Sequence, residues 1–394
     1  MKKKAFLQAL ILFLLLILSW VLLVRRFEKT EEPAPPPVAE QVPAPEPEPV
    51  DREAAVPPPV AELSPEAKIP PDWTEWMEFL AAGDPGPERM RRIRDLRQTL
   101  FSMPADEAVA SIMELLRSGY DLPSGGLFAS GEGGRLADAG SLREHLLDWL
   151  GQLDPATAAA YSMTEISSRG TAMPAGDYVL HLRNFAWGYP GDESTRVAFL
   201  ENGFQALLGN PEWMARPGPA VAEAMDIAVY LGDSGLVPSL AGLRGPGRPE
   251  VLQHAGDLAL ERLVEEDPLP AVRALLGSPE GRALSDRARA GYVARLDPVD
   301  EASRSLLSDY LADPGTSAAE VSDFLAYFPN LNRSLSYNLL SRGISDTPPA
   351  DTPGRLRRAL RAVEAWQADP ALQQYRRELE SARQRLLQQL AGEE

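Results

Sequence analysis

The 394-residue chain contains no cysteine. Disulfides, thiolate catalysis, zinc fingers and iron–sulfur clusters are therefore excluded, and the absence fits an oxidising compartment where stray thiols are a liability. Histidine is nearly as scarce: His145, His181 and His254 stand apart from one another. His145 and Asp148 have i, i+3 spacing, but His145 abuts an apolar stripe and no H-E-x-x-H motif accompanies it, so a structural histidine is expected and no metal. Lysine occurs five times, at Lys2, Lys3, Lys4, Lys29 and Lys68, so the folded region draws its positive charge from arginine alone. With abundant Ala, Gly and Pro, that matches the codon bias of a GC-rich genome better than a site that grips carboxylates or phosphates.

The formal net charge of −18 excludes nucleic acid as a partner, since phosphate recognition needs clustered Lys and Arg. No P-loop, dinucleotide fingerprint or nucleophile elbow is present, and no cofactor is expected. The glycine-dense stretch 119–134 has neither the preceding strand nor the lysine of a phosphate cradle. It reads as a long loop between helices, and its length suits a contact surface.

What the sequence does contain begins with a run from Ala5 to Val24, twenty residues without a charge, nine of them leucine. At about 1.5 Å per residue such a helix matches the roughly 30 Å hydrocarbon core of a bilayer. Lys2, Lys3 and Lys4 precede it, Arg25 and Arg26 follow, and Trp20 suits an interface. A cleaved signal peptide has a shorter apolar run and a small-x-small site, and neither occurs here. Residues 1–27 are thus expected to be a transmembrane signal anchor. Three basic residues on each side balance the charge rule, but the lysine tail and the acidic segment beyond favour a cytoplasmic N-terminus and an extracytoplasmic or periplasmic domain. The expected location is the inner membrane of a cell envelope, as a single-pass protein.

Residues 28–71 are dominated by proline, as in Pro33–Pro37, Pro43–Pro49 and Pro57–Pro59. Proline removes the amide donor and fixes φ, so neither helix nor sheet propagates, and few apolar residues remain to bury. A disordered, extended tether with a reach on the order of 100 Å is expected. Acidic flanks argue against a PxxP ligand for SH3-like modules. The layout of tail, span and Pro/Glu stalk resembles envelope proteins of the TonB type over the first 70 residues, although that family's basic-proline repeats and C-terminal domain are missing.

From residue 72 onward, helical periodicity recurs and no alternating β-branched run appears, which predicts an all-α fold. Asp154-Pro155, Asp267-Pro268, Asp297-Pro298 and Asp369-Pro370 read as helix starts, with aspartate capping free amides and proline at the first helical position. Ser64-Pro65-Glu66 and Ser278-Pro279-Glu280 say the same. Apolar stripes run through Leu142, Leu146, Trp149, Leu150 and Leu153; through Leu252, Ala255, Leu258, Ala259 and Leu263; and through Ala288, Tyr292, Val293 and Leu296. Ser141–Pro155 and Ser285–Pro298 are mutually similar, each with an aromatic four residues before a Leu-Asp-Pro junction. This spacing resembles degenerate HEAT or armadillo repeats. The resemblance implies antiparallel helix pairs stacked as an irregular α-solenoid over 72–351, a class that binds macromolecules along a concave face. Leu372, Tyr375, Leu379, Ala382, Leu386 and Leu390 form a short heptad-like seam. It suits either a dimeric coiled coil or, better at this length, a C-terminal helical cap over 352–394.

No catalytic residues are assigned. The partner-contact candidates are Trp187, Tyr189, Asp192 and Glu193, in an aromatic segment that also contains Phe185. The expected function is a non-catalytic, membrane-anchored scaffold or docking protein whose partners are envelope proteins or cell-wall components. The alternative is an anchored helical enzyme that cleaves glycan or peptide with paired carboxylates.

Overall fold

The computed structural model describes residues 73–81, 86–245, 247–332, 339–340 and 351–393. The expected anchor at 5–24, the tether and Ser64-Pro65-Glu66 lie outside these residues. Among the described residues no helix is long and apolar enough to cross a membrane.

The described chain is helical almost throughout. In order, the α-helices are α1 (Trp73–Ala81), α2 (Pro87–Ser102), α3 (Ala105–Ser118), α4 (Leu142–Leu153), α5 (Pro155–Arg169), α6 (Ala175–Gly188), α7 (Glu193–Leu208), α8 (Pro211–Ala215), α9 (Pro219–Glu223), α10 (Asp226–Leu231), α11 (Val237–Leu243), α12 (Glu250–Glu266), α13 (Pro268–Gly277), α14 (Pro279–Arg282), α15 (Asp286–Val293), α16 (Glu301–Ala312), α17 (Ala318–Tyr327), α18 (Thr352–Ala368) and α19 (Arg376–Glu393). The sheet content described is one small antiparallel hairpin, β1 (Ala129–Ser130) with β2 (Leu136–Asp138). It stands where a plain loop was expected. Phe128, just before β1, anchors it in the core, while the preceding Leu127 is 70% exposed.

Most helix starts follow the sequence chemistry. Ser141, Asp154, Ser278 and Ser285 each accept from a backbone amide in the first turn of α4, α5, α14 and α15, relieving one of the free donors there. Asp267 precedes α13 at the cap position but makes no side-chain cap bond there, whereas Asp369 caps a 3₁₀ turn over Pro370–Tyr375. Asp297-Pro298 departs from expectation. Asp297 accepts two bonds from Arg358, at 2.9 and 2.7 Å, and Asp300 caps α16 instead through Ser303 N. A guanidinium from α18 has claimed the aspartate.

Helices pack mainly on their near neighbours in sequence: α4, α5 and α6 against one another, α11 on α12, α15 on α17, and α18 on α19. The first and third stripes are buried at Leu142, Leu146, Trp149, Leu150, Tyr292, Val293 and Leu296, while Leu153 and Ala288 are half-buried. The second is rotated. Leu252, Ala259, Leu260 and Leu263 are buried, whereas Leu258, expected inside, is only half-buried. The heptad-like seam faces its own chain: Leu372, Leu379, Ala382 and Leu386 are buried, with α19 lying on α17 and α18. There Phe328 and Trp366 meet at 5.3 Å between ring centroids.

Candidate functional site

The segment from Phe185 to Glu193 leaves α6, turns, and starts α7. Phe185 is fully buried, stacked on Tyr189 at 4.6 Å and on Phe199 at 3.9 Å. Trp187 is half-buried, its ring 4.2 Å from the guanidinium of Arg183. Gly134 passes beneath that ring with φ +74°. A Cβ there would stand 2.3 Å from the Leu339 carbonyl oxygen and 3.0 Å from the Trp187 ring, so both the backbone twist and the space demand glycine. Asp192 caps α7, accepting from Ser194 Oγ, Thr195 N and Thr195 Oγ1. These bonds hold its carboxyl down to about 2, so it is ionised at neutral pH and has no proton for a general acid to give. Glu193 pairs with Arg196 one turn on. The four candidates therefore have separate surroundings: Trp187 lies on an arginine, Tyr189 on Phe185, and the two acids at the start of α7.

Arginines in the interior, which helical periodicity does not reveal, tie the helices together. Arg183 on α6 donates to Asp148 on α4 at 2.7 Å and to the Gly134 carbonyl at 3.0 Å. Arg143 on α4 donates to Asp177 on α6 at 2.9 Å, to the Leu116 carbonyl at 2.7 Å and to Tyr161 Oη at 3.1 Å. Arg262 meets Asp226 at 2.7 Å, and Asp226 also accepts from Leu340 N at 2.7 Å. Arg289 and Tyr310 share the fully buried Glu320. A charge inside needs a partner with good geometry, and each of these has one. His145 stacks on Trp149 at 5.6 Å, His181 bonds Ser162 at 3.0 Å, and His254 is exposed. Among the described residues no group of acids and histidines has the arrangement of a metal site.

Two of the openings in the surface of the described residues are candidate sites. A crevice of about 210 Å³ is lined by Glu265, Arg295, Asp297, Asn330, Asn332 and Arg355. Its polar groups largely answer one another. Arg295 donates to the Asn332 carbonyl at 2.8 Å, Arg355 donates to the Arg295 carbonyl at 3.0 Å, and Asn330 donates to the Gly291 carbonyl at 3.1 Å. The second opening is a wider groove of about 570 Å³ between the turn 171–174 and α8. Asn210 caps α8, accepting from Glu212 N and Trp213 N, and Pro211 follows it. This short helix sets Trp213 5.3 Å from the buried Tyr178 ring of α6. Met173 and Pro174 line the groove, and the exposed pair Glu212 and Arg216 lies at its rim. Sequence reading passed over Trp213, although Asn-Pro-Glu-Trp places an aromatic in the first turn of a capped helix.

No protein-family model matches this chain, and no curated protein or solved structure matches it either.

Proposed function

We propose that this protein is a non-catalytic scaffold of the cell envelope, a helical docking platform held off the inner membrane by residues 5–24 and a Pro/Glu tether, with its N-terminus cytoplasmic. Packing between near neighbours in sequence, from α4–α6 through α18–α19, supports reading the domain as an irregular α-solenoid. The observation that carries the docking role is the Trp213 groove, where an aromatic face, Met173 and Pro174 border an opening with a charged rim. A lining that mixes Trp213 and Pro174 with the polar side chains of Thr171, Asn210, Glu212 and Arg216 suits a peptide segment of a partner protein. Trp187, Tyr189, Asp192 and Glu193 cluster around the turn from α6 to α7, at the far end of both helices from this groove, and would form a separate contact.

The enzyme reading draws on two carboxyls, Glu144 and Asp177, which burial lifts to about 7 and about 6. Raised carboxyls are what an acid catalyst needs. Both are tied into the α4–α6 junction, however, and neither lines the groove or the crevice.

The test uses full-length protein in native membranes with a photo-crosslinking residue at Ala172, an exposed position in the groove. A discrete partner adduct is expected there, absent from a control at Gln384 and lost on Trp213→Ala. Identical adducts at both positions, or none at Ala172, would overturn the docking site. Release of glycan or peptide fragments by the purified protein would favour the enzyme instead.

A further inference from the structure

The N-termini of α4 and α6 meet in a crowd of carboxylates. Glu144 completes a capping box on α4: its amide donates to Ser141 Oγ at 3.2 Å and its carboxylate accepts from Gly140 N at 2.6 Å. The other carboxylate oxygen rests so close to α6 that a Cβ on Gly176 would stand 1.8 Å from it. Asp177, the next residue, holds Arg143 at 2.9 Å. From the preceding loop, Asp121 accepts from Arg143 N at 2.9 Å. From α5, Glu165 lies 3.6 Å from Arg143 and 3.1 Å from Arg169, and Tyr161 Oη accepts from Arg143. His181, one turn along α6, is bonded to Ser162. Of the four carboxylates gathered here, Asp177 and Glu165 meet a guanidinium, Asp121 meets backbone N–H, and Glu144 is pressed against peptide backbone with no cation in contact among the bonds named.

We propose that Glu144 and Asp177 form a proton-linked latch between the N-termini of α4 and α6, closed while Glu144 is protonated and loosened when both are ionised. Burial is the main cause that raises both carboxyls, and Asp177 adds to the rise at Glu144. A raised acid favours the fold while protonated; that contribution is complete below its ordinary value of 4.5 and is lost as pH rises to its folded value of about 7, so the latch loosens as pH rises toward neutrality and stays loosened above it. Its position gives it a target. Pro174 of the groove leads directly into α6, and Tyr178, next to Asp177, is the ring on which Trp213 rests. Control of the groove rests on the docking reading; the latch itself does not.

The experiment follows amide exchange over residues 172–182 in the full chain in nanodiscs at pH 5.5 and 8.5, after correction for the intrinsic pH dependence of exchange. Protection in the wild type should fall about tenfold or more at the higher pH, the equivalent of one pKa unit. Glu144→Gln, which mimics the protonated acid, should keep acid-side protection at both values. Asp177→Asn, which removes one of the two charges, should shrink the response and serves if the first variant does not fold. A pH-independent wild type, or a Glu144→Gln protein that follows the wild-type profile, overturns the latch. A latch that responds to pH with no adduct at Ala172 would refute docking alone, and a partner captured by a protein whose exchange ignores pH would refute the latch alone.

Discussion

Arg183 donates from Nη1 to Asp148 Oδ1 at 2.7 Å, and neither side chain reaches solvent. The bond joins α6 to α4, but its reach is wider. Asp148 also accepts from Leu136 N of the hairpin at 3.1 Å and from Gln152 at 2.6 Å. Arg183 donates to the hairpin carbonyl of Gly134, and its Nη2 donates to Asn184 Oδ1 at 2.9 Å. One ion pair therefore fixes two helices and the glycine-rich segment that covers them.

The unequal cost of half a pair tests this role. Asp148→Ala leaves a wholly buried guanidinium without its anion and should cost about 3–5 kcal/mol in urea unfolding. Replacing both partners by apolar residues of similar volume, Asp148→Leu with Arg183→Met, should recover much of that loss. If the double variant is as unstable as the single, the hydrogen bonds to the hairpin, and not the charge pair, dominate.

Arg385 makes the corresponding tie at the C-terminal end. It donates to the carbonyls of Leu325, Ala326 and Phe328, which lie at the end of α17 where intrahelical donors run out. Arg385→Met keeps the side-chain stem and removes the donors, so it should destabilise by about 1.5–3 kcal/mol, the range for bonds to a charged group. Limited proteolysis should then cut α19 before the rest of the chain. Unchanged protease resistance would mean that the buried seam alone holds α19.

On α12 the two leucines at positions 258 and 260 should differ in the way burial dictates. Leu260 is fully buried and Leu258 is not. Leu260→Ala opens a cavity and should cost about 2–5 kcal/mol. Leu258→Ala should cost clearly less in the same chemical denaturation. Equal losses would place the apolar stripe where periodicity alone put it.

Much of the helical plan was legible from local chemistry, because caps and stripes depend on residues a few positions apart. Asp154, Ser278 and Asp369 cap as their spacing implies. Errors arise where a distant residue intervenes. Asp297 gave up its cap because Arg358, 61 residues away, binds it, and the α12 stripe turned because its neighbours select Leu260 over Leu258. The inward-facing arginines were invisible for the same reason, since Arg143 and Arg183 find their carboxylates 34 and 35 residues away. Of the candidate aromatic cluster, Tyr189 does stack on Phe185, whereas Trp187 stands apart from it on Arg183, a partner that local sequence does not foretell. Trp213 was missed because a five-residue helix is too short to show a period.

The interior histidine His181 makes the acid side of the stability profile predictable. It is buried, bonded through Nδ1 to Ser162, and flanked by Tyr161 at 5.5 Å. Burial, with smaller contributions from Arg143 and Arg169, pushes its pKa down to about 3, against an ordinary value of 6.5. The folded protein thus excludes a proton that the unfolded chain accepts between about pH 6.5 and 3. Fewer protons on the native state means stability falls as pH drops through that window. Glu144 and Asp177 act in the opposite sense over part of it, so the wild-type curve alone is a composite. His181→Asn isolates the histidine, because an amide retains hydrogen-bonding capacity toward Ser162 and does not titrate. Between pH 6 and 4 its unfolding free energy should decline less steeply than that of the wild type, the difference approaching one proton, or about 1.4 kcal/mol per pH unit. Parallel curves for the two proteins would show that His181 is protonated in the fold and that its burial is less complete than its surroundings imply.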